Sequence, residues 1–428
     1  MFRLPARTLA AAWIGLIPIG SASPLHAQAA PSGREVSLAA LEAYARTHAP
    51  ELRVMRARQR LGAGARAAAS VLLSENPELD LAAGPRWGAG SDRLDYDFSA
   101  GLSQPVEIAG GRGARQRAAA RFDERLAAES ELSAFALRVE LAYAYRTAQL
   151  ARAQLGAARS SLAFTTDTRG VVERRLAAGE ATIIELRVAE GDLARAARDV
   201  NLAQHSLVAA SFELCALSGW PATDLPLVAA RLPDPRPLPN VDSLLDAATK
   251  RHPELRVRQA ALAQAHAETD LAARIGWPVP EIGAQLTREG GQDAASGWTV
   301  LGTLRVPLPL LQRNQAERER TRAEQAIAEA ELEASTRTLV VRIRRASSEL
   351  SAAAERLTLL AATSAAFEDS LALLRRGLEA GELALLEVSV ARERFLAAEV
   401  ASLAARADYE KAWLELERAT GQQFGDKP

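Results

Sequence analysis

A repeat inside the sequence limits what this chain can fold into more than any other feature. Pro50-Glu51-Leu52-Arg53-Val54 recurs as Pro253-Glu254-Leu255-Arg256-Val257, an offset of 203. Pro77-Glu78-Leu79 answers Pro280-Glu281-Ile282 at the same offset. Gly179-Glu180 recurs as Gly381-Glu382, Glu185 as Glu387 and Gly219 as Gly421, all at 202. A register held to within one residue over about 170 positions marks a duplicated unit rather than chance. Dividing 428 residues into three globular domains of ordinary size is therefore the wrong division.

Both copies read alike. A helix of about 25 residues opens at Pro50 or Pro253, where a missing N–H costs little, and ends near Asn76-Pro77 or Trp277-Pro278. Two short alternating segments follow. A helical stretch of about 65 residues then runs to Gly179 or Gly381, and a helix of about 35 returns. Between the copies, Pro221, Pro226, Pro233, Pro235, Pro237 and Pro239 forbid regular helix. The expected division is a leader at 1–29, a first repeat at 30–218, a proline-rich linker at 219–241, a second repeat at 242–424 and a tail at 425–428.

The returning helices carry a coiled-coil seam. Leu186, Ala189, Leu193, Ala196, Val200, Ala203, Leu207, Ala210 and Leu214 are spaced 3-4-3-4 over four heptads. Adding 202 gives Val388, Ala391, Phe395, Ala398, Ser402, Ala405, Tyr409, Ala412 and Leu416. Alternating alanines let a partner helix approach closely. At 1.5 Å per residue, a 65-residue helix spans roughly 100 Å, so the expected molecule is a rod.

The alternating segments have two distinct faces. Leu94, Tyr96, Phe98, Ala100 and Leu102 oppose Asp95, Asp97, Ser99, Gly101 and Ser103. Trp298, Val300, Gly302, Leu304 and Val306 oppose Thr299, Leu301, Thr303 and Arg305, with Leu301 the one misfit. Leu79, Leu81 and Ala83, and Ile282, Ala284 and Leu286, supply hairpin partners. Apolar-out, polar-in alternation of about ten residues is what a membrane-spanning β-strand requires. Four strands cannot close around a lumen, and lipid tolerates no open edge. Three chains would give twelve strands, more than the eight whose side chains fill a barrel. The expected fold is mainly α: long antiparallel coiled-coil helices form an α-barrel tunnel, with four β-strands per chain in a shared trimeric twelve-stranded barrel.

The N-terminus reads as an address. Arg3 and Arg7 precede an apolar core at Leu9 to Ile19, and Ala27-Gln28-Ala29 is a small-residue cleavage site. No later stretch offers 18 apolar residues, so any span must be built from strands. Composition closes other routes. With 52 Lys and Arg against 53 Asp and Glu, the net charge of −1 gives no electrostatic basis for a nucleic-acid partner. The single Cys215 excludes an internal disulfide framework and a thiolate metal cluster, and Met1 and Met55 are too few for a methionine copper site.

Catalytic and metal signatures are missing. The sequence holds no nucleophile elbow, phosphate-binding loop, dinucleotide fingerprint, HExxH or CxxC. Gly110-Gly111-Arg112-Gly113 lacks the phosphate-loop lysine and reads as a tight bend between strand and long helix. His48 and His252 precede the repeated Pro-Glu-Leu and fit a helix junction, while His205 and His266 have no partner at metal spacing. No enzyme, cofactor or resident metal is expected.

On these residues the chain resembles the TolC family of outer-membrane efflux ducts, over about Ser37 to Phe424. The resemblance rests on Pro50-Glu51-Leu52 after a short lead helix, the duplicated helix–hairpin–long-helix order, and the turn glycines 179 and 381. Two stretches look closer to the heavy-metal branch of CzcC- and CusC-like proteins. They are Ser103-Gln104-Pro105-Val106-Glu107 leading into Gly111-Arg112-Gly113-Ala114-Arg115, and the run Pro307-Leu308-Pro309-Leu310-Leu311-Gln312-Arg313-Asn314-Gln315. Many members carry an N-terminal lipidated cysteine, and no cysteine stands near the cleavage site here.

The resemblance implies a homotrimer in the outer membrane of a Gram-negative-type cell, with its tunnel crossing the periplasm. It implies an exit duct joined through a periplasmic adaptor protein to an inner-membrane pump of the RND type, with heavy-metal cations as expected cargo. Alternatives are a duct for organic compounds or secreted protein, or an exported coiled-coil scaffold. The helix-to-helix turns would be the periplasmic tips, with Arg174, Arg175, Leu176, Gly179, Glu180, Arg375, Arg376, Leu378, Gly381 and Glu382 as the adaptor-docking rim. In a trimer Glu180, Glu185, Glu382 and Glu387 each become a ring of three carboxylates, the expected tunnel gate, unless they serve only as first-turn acids.

Overall fold

The computed structural model describes residues 35–424 apart from 74, 88–93, 290–296 and 365–366. The expected leader and the 425–428 tail lie outside the described residues. The first half contains α1 (Leu38–His48), α2 (Pro50–Ser70), β1 (Glu78–Trp87), β2 (Leu94–Pro105), α3 (Gly111–Ala177) and α4 (Ile183–Ser218). The second contains α5 (Val241–Arg251), α6 (Pro253–Ile275), β3 (Glu281–Arg288), β4 (Trp298–Arg305), α7 (Gln315–Ser364), α8 (Phe367–Glu379) and α9 (Leu385–Thr420).

The helices begin where the backbone finds partners. Ser37 accepts from the Ala40 N–H at the start of α1, and Asn240 accepts from Asp242 and Ser243 at the start of α5. Pro50 and Pro253 open α2 and α6 with no donor to satisfy. The 67 residues of α3 make a rod of roughly 100 Å. Two boundaries differ from expectation. α2 stops at Ser70, well short of Asn76; Val71 is extended, and the Arg112 guanidinium donates to the Ser70 carbonyl. The second long stretch comprises α7 and α8 rather than one described helix.

Equivalent residues build two equivalent cores. In the first half Leu41, Ala45 and Leu52 meet Leu137, Leu141, Ala148 and Leu214. In the second Leu244, Ala248 and Leu255 meet Leu339, Ile343, Leu350 and Leu416. Each lead helix thus seals a long helix against its return. The returning helices end in left-handed Gly219 and Gly421, whose φ values of 75° and 67° favour glycine. Each also packs on the junction between lead helix and proline helix. A Cβ at Gly219 would lie 2.5 Å from the His48 carbonyl oxygen, and one at Gly421 2.6 Å from Pro253 Cδ.

Residues 221–240 form no helix, as the prolines require, and are tied to the rods by side chains. Arg236 reaches Glu410 at 3.1 Å and lies 4.4 Å over the Trp413 ring. The Tyr409 hydroxyl both accepts from the Arg236 N–H and donates to its carbonyl. At the far end of α3 and α7 the strands form one antiparallel sheet in the order β1-β2-β3-β4. Among the described residues no helix is long and apolar enough to cross a membrane.

Candidate functional site: the sheet face and the helical tips

The sheet register sorts the side chains onto two faces. Leu79 pairs with Leu102, Leu81 with Ala100 and Ala83 with Phe98. The face continues across the sheet as Leu102 opposite Ala284 and Ala100 opposite Leu286, then Ile282 opposite Leu304 and Leu286 opposite Val300. These large apolar side chains are exposed in the single chain, as is Trp298, over which Arg288 stacks at 5.6 Å. The opposite face carries Glu78, Asp80, Asp97, Ser99, Gln285, Thr287, Thr299 and Thr303, with Leu301 the exception. A sheet with its apolar face outward and β1 and β4 as free edges requires both a hydrocarbon solvent and further strands.

The other end of the rods is built from two turns of the same chemistry. At the first, the Glu180 N–H donates to the Arg175 carbonyl at 2.8 Å and the Gly179 N–H to that of Leu176 at 3.0 Å. At the second, the Glu382 N–H donates to Gly377 at 2.9 Å and the Gly381 N–H to Leu378 at 3.2 Å. This crossed pair, closed by glycines at φ 77° and 75°, terminates each outgoing helix and aims the chain back. The tips lie side by side, since Leu385 packs with Val172, Ala189 and Leu186.

The predicted tip residues separate by environment. Arg174, Glu180, Arg376 and Glu382 are exposed, and Arg175 and Leu176 half-buried. Arg375 is exposed and pairs with Asp167 of α3 at 3.2 Å, linking the two hairpins. Leu378 is the correction: it is only 1 % exposed, packed with Leu371, Val388 and Val171, so its side chain belongs beneath the rim rather than on it. Phe367, Leu371, Leu374 and Leu378 follow a 4-3-4 spacing, the signal that assigns it to a seam.

Glu185 and Glu387 have local work. The Glu185 carboxylate accepts from the Thr182 N–H at 2.6 Å and its hydroxyl at 3.0 Å, while the Glu185 N–H donates to the Thr182 hydroxyl. Those contacts, the backbone one foremost, hold the Glu185 carboxyl below the usual carboxylate range. Glu387 accepts from the Ala384 N–H at 3.0 Å, and the alanine cannot return the bond.

Sequence reading missed a polar seam behind the tips. Buried Arg392 of α9 donates to the Ser161 hydroxyl of α3 at 3.1 Å. Ser389 of α9 donates to buried Asp192 of α4 at 2.6 Å, and Arg195 pairs with Glu393 at 3.2 Å. Their one signal was charge and hydroxyl groups adjoining seam alanines 189 and 391. Among the described residues no group of three His, Cys, Asp or Glu is placed to hold a metal ion.

Comparison with known proteins supplies the family. The family model described as outer membrane efflux protein matches residues 43–220 and 244–422. No match was found among curated protein sequences. Among solved structures the chain is similar to the CusC channel, at a TM-score of 0.70 and 19% identity over 90% of this chain and 92% of that one. The Campylobacter jejuni CmeC outer membrane channel gives 0.71 and 15% over 90% and 85%. The outer membrane protein VceC from Vibrio cholerae gives 0.68 and 18% over 91% and 97%.

Proposed function

The chain belongs to the outer membrane efflux protein family, and on that premise we propose that three copies form the exit duct of a tripartite pump carrying heavy-metal cations outward. The observation that carries the duct is the sheet: four strands with an exposed apolar face, a polar opposite face and two free edges. Three such sheets close into a twelve-stranded barrel with a wet lumen, and the rods continue it as a helical tunnel. The duct would take its energy from the inner-membrane pump.

The tips are the end that would meet the periplasmic adaptor. Arg174, Arg175, Leu176, Gly179, Glu180, Arg375, Arg376, Gly381 and Glu382 form the proposed docking rim, with Leu378 as support beneath. Glu180 and Glu382 sit at the turns themselves, and three copies of each would ring the tunnel mouth with carboxylates. A narrow carboxylate ring attracts cations and repels anions. Glu185 and Glu387 add to that field while capping α4 and α9. Heavy-metal cargo rests on the stretches 103–107, 111–115 and 307–315, which resemble the heavy-metal branch.

Single-channel recording of trimers in planar bilayers tests the gate. We expect Glu180→Gln and Glu382→Gln to lower cation-over-anion selectivity, and unchanged selectivity in both would sink the assignment. Cargo is tested in a strain lacking the gene. Restoring the gene should raise tolerance to divalent heavy-metal salts, and restored tolerance to organic compounds alone would favour the drug duct.

A further inference from the structure

The strand-to-helix connections carry an apolar surface exposed in the single chain. Leu72 lies between α2 and β1, Ile108 between β2 and α3, Trp277 between α6 and β3, and Leu308 and Leu311 between β4 and α7. All five are 59–86% exposed. The register places all four connections at one end of the sheet, where Glu78 pairs with Ser103, Pro105 with Glu281 and Glu281 with Arg305.

Hydrogen bonds hold these connections to one another and to the strands and helices that flank them. The Val106 N–H donates to the Pro280 carbonyl at 2.8 Å, and the Gln104 side-chain amide donates to the Glu75 carbonyl at 3.0 Å. Asn314, at φ 57°, donates from its side chain to the Ala272 carbonyl at 3.0 Å. Exposed arginines stand among the apolar residues, each held by backbone. Arg112 donates to Ser70, Arg274 to Ala109 at 3.5 Å and Arg313 to Pro309 at 3.0 Å. Exposed apolar side chains beside cations held in place have the chemistry of a membrane interface.

Beyond the paired strands the apolar character continues, with Val306, Leu308, Leu310 and Leu311 after β4 all exposed in the single chain.

We propose that the four strand-to-helix connections form a collar that sinks into the adjoining membrane leaflet, its leucines and Trp277 in the acyl boundary and Arg112, Arg274 and Arg313 on anionic phospholipid headgroups. This rests on the sheet being membrane-spanning, and gives residues of the 103–115 and 307–315 stretches a depth-setting role. The arginines would hold the duct at one height while the pump pulls on its tips.

The test uses full-length trimers reconstituted in phosphatidylcholine–phosphatidylglycerol vesicles, with channel conductance confirming insertion first. Absence of conductance would count against the duct itself. Lipids brominated at shallow or deep acyl positions then quench tryptophan fluorescence, and the difference between wild type and Trp277→Phe isolates Trp277. We expect shallow quenching at least several-fold stronger than deep. A Trp277 signal quenched by neither lipid would overturn the collar, as would loss of the trimer in Leu308→Ser/Leu311→Ser, which would make the surface a seam between copies. Mass spectrometry of lipids retained by trimers should show phosphatidylglycerol enrichment falling roughly fivefold for each of Arg112→Gln and Arg313→Gln. No change in that enrichment would remove the headgroup sites.

Discussion

His252 shows how much one side chain can fix at the residue scale. Its Nδ1 accepts from the Glu254 N–H at 3.1 Å, capping α6, so Nε2 holds the proton and donates to the Arg418 carbonyl at 3.3 Å. Burial pushes the imidazole below its ordinary 6.5, against the opposing pull of the Arg418 contact and Glu254. The folded protein therefore binds fewer protons here than the unfolded chain between the lowered value and 6.5. The stabilisation is complete above 6.5 and is lost as pH falls through the lowered value. We expect the melting temperature to drop on acidification below pH 6.5, and His252→Asn, which keeps a capping oxygen, to flatten that slope. A second residue-scale case is Glu410, 1 % exposed between Arg146 at 3.3 Å and Arg236 at 3.1 Å. Glu410→Ala removes both of these ion pairs from a buried site, and thermal unfolding should show a loss of about 3–5 kcal/mol.

Element by element, the two tips are the same turn with unequal caps. Thr182 and Glu185 exchange bonds at the head of α4, whereas α9 is capped by Ala384, which gives Glu387 an N–H and receives nothing. Thr182→Ala should destabilise the first tip by about 1 kcal/mol, and Ala384→Thr should stabilise the second by a similar amount. Amide hydrogen exchange over 179–187 and 381–389 reads each tip separately. At this scale the sequence was most legible. The nine seam positions of α4 are all buried or half-buried, and in α9 only Phe395 is exposed. Heptad spacing reads well because it is local. Leu378 was misplaced because proximity to a turn outweighed its 4-3-4 spacing, and at the early end of α2 the Ser70 carbonyl finds its partner in Arg112, 42 residues on, out of reach of local pattern. The Ser161–Arg392 and Asp192–Ser389 contacts span 231 and 197 residues, beyond the reach of any periodicity.

For the whole molecule, one set of strands must serve two solvents. Alternation alone predicted which residues share a face, and the register from Leu79–Leu102 to Leu286–Val300 keeps that sorting across every strand pair. What no single strand could reveal is that both edges stay free, since this is a property of the sheet. The two faces make opposite demands on the same substitution. Leu81 lies mid-strand on the apolar face, so Leu81→Arg places a cation in hydrocarbon and should cost roughly 2–4 kcal/mol of insertion. Ser99, on the opposite face, lies toward the proposed lumen, so Ser99→Arg should spare insertion but lower cation conductance by adding three positive charges per trimer. Folded yield in vesicles measures the first cost and single-channel recording the second. Equal loss of folding from both would mean that neither face meets water, and the shared barrel would have to be abandoned. Loss confined to Leu81→Arg, with altered conductance confined to Ser99→Arg, requires that the face exposed in one chain be the outer wall of a closed assembly.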